Sequence, residues 1–208
     1  MAPRPPNLSR RLTVIAGWSE NEPSARSSLE LGDAVSRASA LAALARMDAL
    51  SIADLQSAVV DDQPLVRRRA LLLLPDRWSE ESAAQIDLVA ALHDDDPTVL
   101  EVACFVAGEC VPTNRRVVQR LMEICVAHDD PLCRESAVAA LGSLGDPEAT
   151  AAVLTACDDR ATVRRRAVLA LTAFDGADVD AKLAAMAEDV DWQVRQAAEE
   201  LLAIGSDP

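Results

Sequence analysis

Two histidines and five cysteines have the widest chemical repertoire in this chain, and their spacing limits what they can do. Cys125 and His128 lie three residues apart, so on a helix they share a face, an arrangement in which an imidazole can draw the proton from a thiol. The competing reading places Cys125 in a packed core, at the end of the apolar run Leu121-Met122-Glu123-Ile124-Cys125. His93 and His128 stand beside Asp94-Asp95-Asp96 and Asp129-Asp130. Imidazoles next to carboxylates suit a metal, but a histidine ending a helix also suits the negative end of the helix dipole. The cysteines, at 104, 110, 125, 133 and 157, are odd in number and include no Cys-x-x-Cys pair, which points to reduced, buried thiols. No phosphate-cradling glycine loop, nucleophile elbow or His-Glu-x-x-His string occurs. The expectation is a chain with no catalytic residue, no metal site and no cofactor.

The elements that must hold these residues are foreshadowed by composition. Half of the 208 residues are hydrophobic but only 2% are aromatic, with no Tyr, and Ala and Leu supply most of the apolar mass. Sheets favour the β-branched and aromatic residues that are scarce here, so an all-α fold is expected. Thirty-four acids against twenty bases give a formal charge of −14, which disfavours binding to nucleic acid phosphates. No apolar run approaches the ~18 residues that span a bilayer. The run Leu12–Trp18 after Arg10-Arg11 is short for a secretory signal, so the expected location is cytoplasmic, without membrane contact.

Laid against itself, the chain repeats the pattern Arg-x-x-Ala-x-x-x-Leu/Ala six times, starting at Arg37, Arg67, Leu100, Arg134, Arg164 and Arg195. The starts are 30 to 34 residues apart, the spacing of a helical hairpin. Asp62-Gln63-Pro64, Asp95-Asp96-Pro97 and Asp129-Asp130-Pro131 precede three of them. Asp can cap free backbone N–H groups and Pro fits the first helical turn, so each copy should open a helix, here called B. A second helical pattern, A, precedes each of the last five: 51–60 with a Ser51/Asp54 capping box, 80–92, 113–127, 147–156 and 179–188. One hairpin cannot bury its apolar stripe alone, so neighbours must stack.

This pattern resembles the short HEAT-type repeats that also occur in bilin-lyase-like proteins, over residues 33 to 204. The resemblance implies a right-handed α-α superhelix of about six helical hairpins, as one solenoid domain over 31–208. Residues 1–30 would form an N-terminal arm with capping helices near Leu8–Ala16 and Pro23–Leu31. Leu100 departs from the pattern in place of Arg, and Trp192 in place of Pro. HEAT-type hydroxylases carry His-Glu dipeptides for a di-iron centre, and this chain has none. Glycosylases of this type present a basic concave face, against which the charge here has the wrong sign.

Counting the signature Arg as position 0 and turning ~100° per residue, positions −1, +3, +4 and +7 form the core stripe. Position 0 lies at its edge, and Asp62/Arg67, Asp129/Arg134 and Asp159/Arg164 are expected to form a structural ladder. The resemblance places the opposite face of the B helices on the concave, binding surface. From that face the candidate protein-binding residues are Arg68, Arg69, Leu72, Val102, Phe105, Arg165, Arg166 and Leu169. The Arg pairs suit a protein or peptide partner bearing carboxylates or phosphates, or else merely neutralise neighbouring acids. The expected function is a non-catalytic, monomeric scaffold or adaptor. An accessory enzyme of the bilin-lyase type is the alternative.

Overall fold

The computed structural model describes residues 21–111 and 113–205, so the helix expected near Leu8–Ala16 lies outside the described residues. The described residues are helices and short connections, with no strand among them. The chain divides between Asp87 and Leu88 into two compact units.

The first unit contains α1 (Glu22–Leu31), α2 (Ala34–Arg46), α3 (Ile52–Ala58), α4 (Pro64–Leu72) and α5 (Glu80–Gln85). Helix α1 packs on α2, α2 on α4, and α3 on both α4 and α5. The second unit contains α6 (Leu88–Ala91), α7 (Pro97–Glu109), α8 (Arg115–Ala127), α9 (Pro131–Leu144), α10 (Thr150–Ala156), α11 (Ala161–Ala170), α12 (Ala177–Met186) and α13 (Trp192–Gly205). Here α7, α9, α11 and α13 pack side by side as one layer of B helices, and α6, α8 and α10 form the A layer behind them.

Local chemistry opens these helices where the repeat demands. Every signature residue, including Leu100, is the fourth residue of its helix, three positions after Pro64, Pro97 and Pro131 in three cases. Asp33, Asp96 and Asp130 accept the backbone N–H groups of Ser36, Thr98 and Leu132. Ser51 and Asp54 form the expected capping box. The pattern at 80–92 is not one helix: Ile86 adopts an extended conformation (φ −115°, ψ 117°), and α6 restarts after Asp87, a residue type that favours helix starts.

The six signature alanines, Ala40, Ala70, Ala103, Ala137, Ala167 and Ala198, have no accessible surface. Neighbouring B helices of the second unit approach closely through small residues. A Cβ added at Gly108 would lie 2.8 Å from Ala140 Cα, and one at Gly142 would lie 2.9 Å from Ala170 Cα.

The arginine ladder exists, but its carboxylates come from the next repeat. Arg134 grips Asp159 through two bonds, Nε to Oδ2 at 2.6 Å and Nη2 to Oδ1 at 2.7 Å. Arg164 grips Asp189 in the same way, at 2.8 and 2.7 Å. In the first unit Arg37 holds Asp61 at 3.0 and 2.6 Å. Within its own repeat each guanidinium reaches backbone instead: Arg67 Nη1 donates to Asp61 O, Arg134 Nη1 to His128 O, and Arg164 Nη1 to Asp159 O. The expected pairs Asp62/Arg67, Asp129/Arg134 and Asp159/Arg164 are corrected accordingly. A short backbone turn brings carbonyls to the arginine, whereas stacking brings the next repeat's carboxylate. The Arg134 and Arg164 guanidinium groups hold the carboxyls of Asp159 and Asp189 below the ordinary aspartate range.

One rung lacks both partners. Leu100 replaces the arginine, and its counterpart in the next repeat is His128 rather than Asp. His128 Nδ1 accepts the backbone N–H of Asp130, as Asp61 Oδ1 does from Gln63 and Asp189 Oδ1 from Asp191. The imidazole thus keeps the turn closed without leaving a carboxylate opposite a leucine.

Candidate functional site

The second unit's B layer carries two grooves. The larger, about 390 Å³, runs between α7 and α9 toward α11 and is lined by Glu101, Phe105, Glu109, Leu132, Glu135 and Arg166, among others. The smaller, about 250 Å³, lies between α9, α11 and α13, with Arg165, Arg166, Leu169 and Asp191 on its walls. Phe105 is 51% exposed, Leu132 55% and Leu169 41%. Large side chains left this open on three successive B helices cost hydrophobic burial, and they line concave ground.

Helical periodicity brings these residues together. On α9, Glu135, Ser136 and Ala139 point into the larger groove, and on α7 Glu101, Phe105 and Glu109 recur one turn apart. Val102, expected on this face, is instead 7% exposed and belongs to the core. Beyond its first turn, helix α7 is packed so widely that it exposes only a stripe one residue wide, through Phe105 and Glu109 with Glu101 half-buried, and Val102 falls to one side of it. Leu132, Glu109 and Ser143 were missed by an offset count that began at +1 and stopped at +5. Continuing the same face one turn in either direction would have found them.

Arg165 and Arg166 are exposed, and Arg166 Nη2 reaches Glu135 Oε1 at 3.5 Å, a loose ion pair across the groove. In the first unit, Arg68 and Arg69 are exposed on α4 and Leu72 is 42% exposed. These three share one face of α4.

The Cys125/His128 pair does not assemble a nucleophile. Cys125 is buried and its thiol donates toward Ala152 O at 3.5 Å, while His128 Nδ1 is occupied by the Asp130 N–H. Burial pushes the Cys125 and Cys110 thiols up to about 12, and those of Cys133 and Cys157 to about 11. Cys104 is raised further, and all five cysteines are buried. Thiols held protonated in this way are poor nucleophiles. His93 Nδ1 lies 2.8 Å from Val89 O of the preceding turn. No group of His, Cys, Asp and Glu among the described residues has the geometry of a metal site. No helix among them is long and apolar enough to cross a membrane.

Stacked helical hairpins, a buried alanine in every B helix and an arginine rung between repeats define a helical-repeat protein. The family described as HEAT repeats matches residues 85–161 and 118–203, and the chain belongs to that family. No curated protein matches the chain. Among solved structures it is similar to an engineered protein (21% identity, TM-score 0.54, covering 86% of this chain and 89% of that one). It is also similar to a second engineered protein (17% identity, TM-score 0.50, 92% and 93% coverage). A third similar structure is human deoxyhypusine hydroxylase in complex with glycerol (18% identity, TM-score 0.50, 81% and 80% coverage). At these identities the likeness is one of fold.

Proposed function

We propose that this chain is a non-catalytic scaffold or adaptor that holds a protein partner on the B-helix face of its second unit. The observation that carries the reading is the row of exposed apolar side chains Phe105, Leu132 and Leu169 lining the two grooves on successive B helices. Helical-repeat proteins use such faces for extended contacts, and a well-placed aromatic is the usual anchor of an interface. Arg165 and Arg166 flank Leu169 and supply charged rim contacts. Arg68, Arg69 and Leu72 form a second patch on the first unit, suited to a partner group bearing carboxylate or phosphate. The buried, reduced thiols fit a cytoplasmic protein, and the charge of −14 favours a monomer through self-repulsion.

The test is affinity capture from native lysate with the wild-type chain and a Phe105→Ser/Leu169→Ser variant, after both show the same melting temperature. A partner held by the wild type and lost by the variant supports the reading and is then titrated as a purified protein. Capture that is indifferent to both substitutions refutes it. The accessory-enzyme alternative requires a reactive thiol, so cysteines inert to a thiol reagent until denaturation count against it.

A further inference from the structure

The geometry points to a partner segment of defined chemistry for the larger groove: a basic peptide that lays an arginine or lysine over Phe105, between Glu101 and Glu109. This inference rests on the scaffold reading and adds the sign of the partner's charge. Glu101, Phe105 and Glu109 follow one another at intervals of four on α7, so they form one stripe with a carboxylate a turn to either side of the ring. Neither the Glu101 nor the Glu109 carboxylate makes a hydrogen bond or ion pair with another described residue.

An exposed aromatic face attracts a cation through its ring quadrupole, and flanking carboxylates reinforce that attraction. The opposite wall carries one charge of each sign. Glu135 shares its charge only loosely with Arg166, so the groove holds three carboxylates against one guanidinium. Leu132, Ala139 and Ala140 supply an apolar floor for the methylene stem of an arginine or lysine and for a neighbouring apolar side chain. An acidic segment would be pressed against two unpaired carboxylates, the like-charge juxtaposition that interfaces avoid. The groove therefore prefers the opposite sign of partner from the one suggested by Arg165 and Arg166 in the sequence.

The experiment uses fluorescein-labelled short peptides, one alternating arginine and leucine and its counterpart with glutamate for arginine, titrated by anisotropy at moderate salt. The full-length chain is compared with Glu101→Gln/Glu109→Gln, with Phe105→Ser, and with Glu199→Gln/Glu200→Gln. The last removes the same charge from exposed positions of α13, away from the larger groove. The expected result is binding of the arginine peptide only. Loss of two solvated ion pairs should weaken it about tenfold in the Glu101/Glu109 variant, with a loss of similar size in the Phe105 variant and none in the Glu199/Glu200 variant.

Equal weakening in both charge variants would reduce the effect to general attraction by an acidic surface and overturn the inference. Preference for the glutamate peptide, or binding of neither, would also overturn it. Partner capture that depends on Phe105 and Leu169 would still stand after such a failure, so the scaffold reading falls only by its own test.

Discussion

Installing the missing rung tests whether the arginine ladder couples successive repeats. The perturbation is the pair Leu100→Arg and His128→Asp, which writes into the third and fourth repeats the residues that occupy these positions at Arg134/Asp159 and Arg164/Asp189. Alone, His128→Asp keeps the turn acceptor for the Asp130 N–H but adds a carboxylate beside Asp129 and Asp130 with no guanidinium to meet it. That should destabilise by about 1 kcal/mol. Alone, Leu100→Arg removes a side chain that is 2% exposed and leaves a guanidinium without its carboxylate, for a loss of roughly 2 to 3 kcal/mol.

Together they should recover part of the loss. The Arg134/Asp159 and Arg164/Asp189 rungs each use two charge-assisted bonds of 2.6 to 2.8 Å between side chains that are 7 to 19% exposed. Discounted for that exposure, a coupling energy of about 2 kcal/mol is expected. The assay is a double-mutant cycle by urea denaturation of the wild type, both single variants and the double variant. A coupling within ~0.5 kcal/mol of zero would refute the ladder as an energetic link between repeats and reduce it to a geometric coincidence of stacking.

The depressed carboxyls of Asp159 and Asp189 give a signed pH dependence. Their stabilisation is fully present above the unfolded carboxylate value near ~4 and is lost as pH falls through the lower folded values. Asp189→Asn should therefore lower stability at neutral pH and flatten its decline below pH ~4; an unchanged acid limb in thermal melts would contradict the assignment. Gly142→Ala sets two effects against each other. Helix propensity alone favours alanine by about 1 kcal/mol, whereas a Cβ 2.9 Å from the Ala170 backbone forces neighbouring B helices apart at a cost of roughly 1 to 3 kcal/mol. The expected outcome is a lower melting temperature, and a rise would show that α9 and α11 can separate freely.

The helices were legible in the sequence because their signals are local. Proline at the first turn, aspartate caps and a Ser51/Asp54 box act within four residues, so the positions of α2, α3, α4, α7, α9 and α13 followed from them, while α11, whose N-cap Arg160 makes no side-chain bond, followed from the repeat spacing. The signature alanine at +3 fell on the core stripe, and all six copies are fully buried. The interruption at Ile86 was not legible, since the apolar pattern at 80–92 is equally compatible with a continuous helix. Val102 was misplaced because a helical wheel assumes one buried face, whereas α7 is enclosed on nearly all sides by its neighbours.

What the sequence by itself determined is the repeating hairpin and its caps, for these rest on contacts between residues a few positions apart. Only the tertiary structure decided which aspartate each arginine holds, because the partner lies about one repeat, 24 or 25 residues, further along the chain and is delivered by stacking. It likewise decided that Cys125 and His128 serve core and turn rather than chemistry. The same holds for the groove around Phe105. Its carboxylates and apolar floor come from α7 and α9, whose relative placement is fixed by the small-residue contact of Gly108 with Ala140 and not by any signal within either helix.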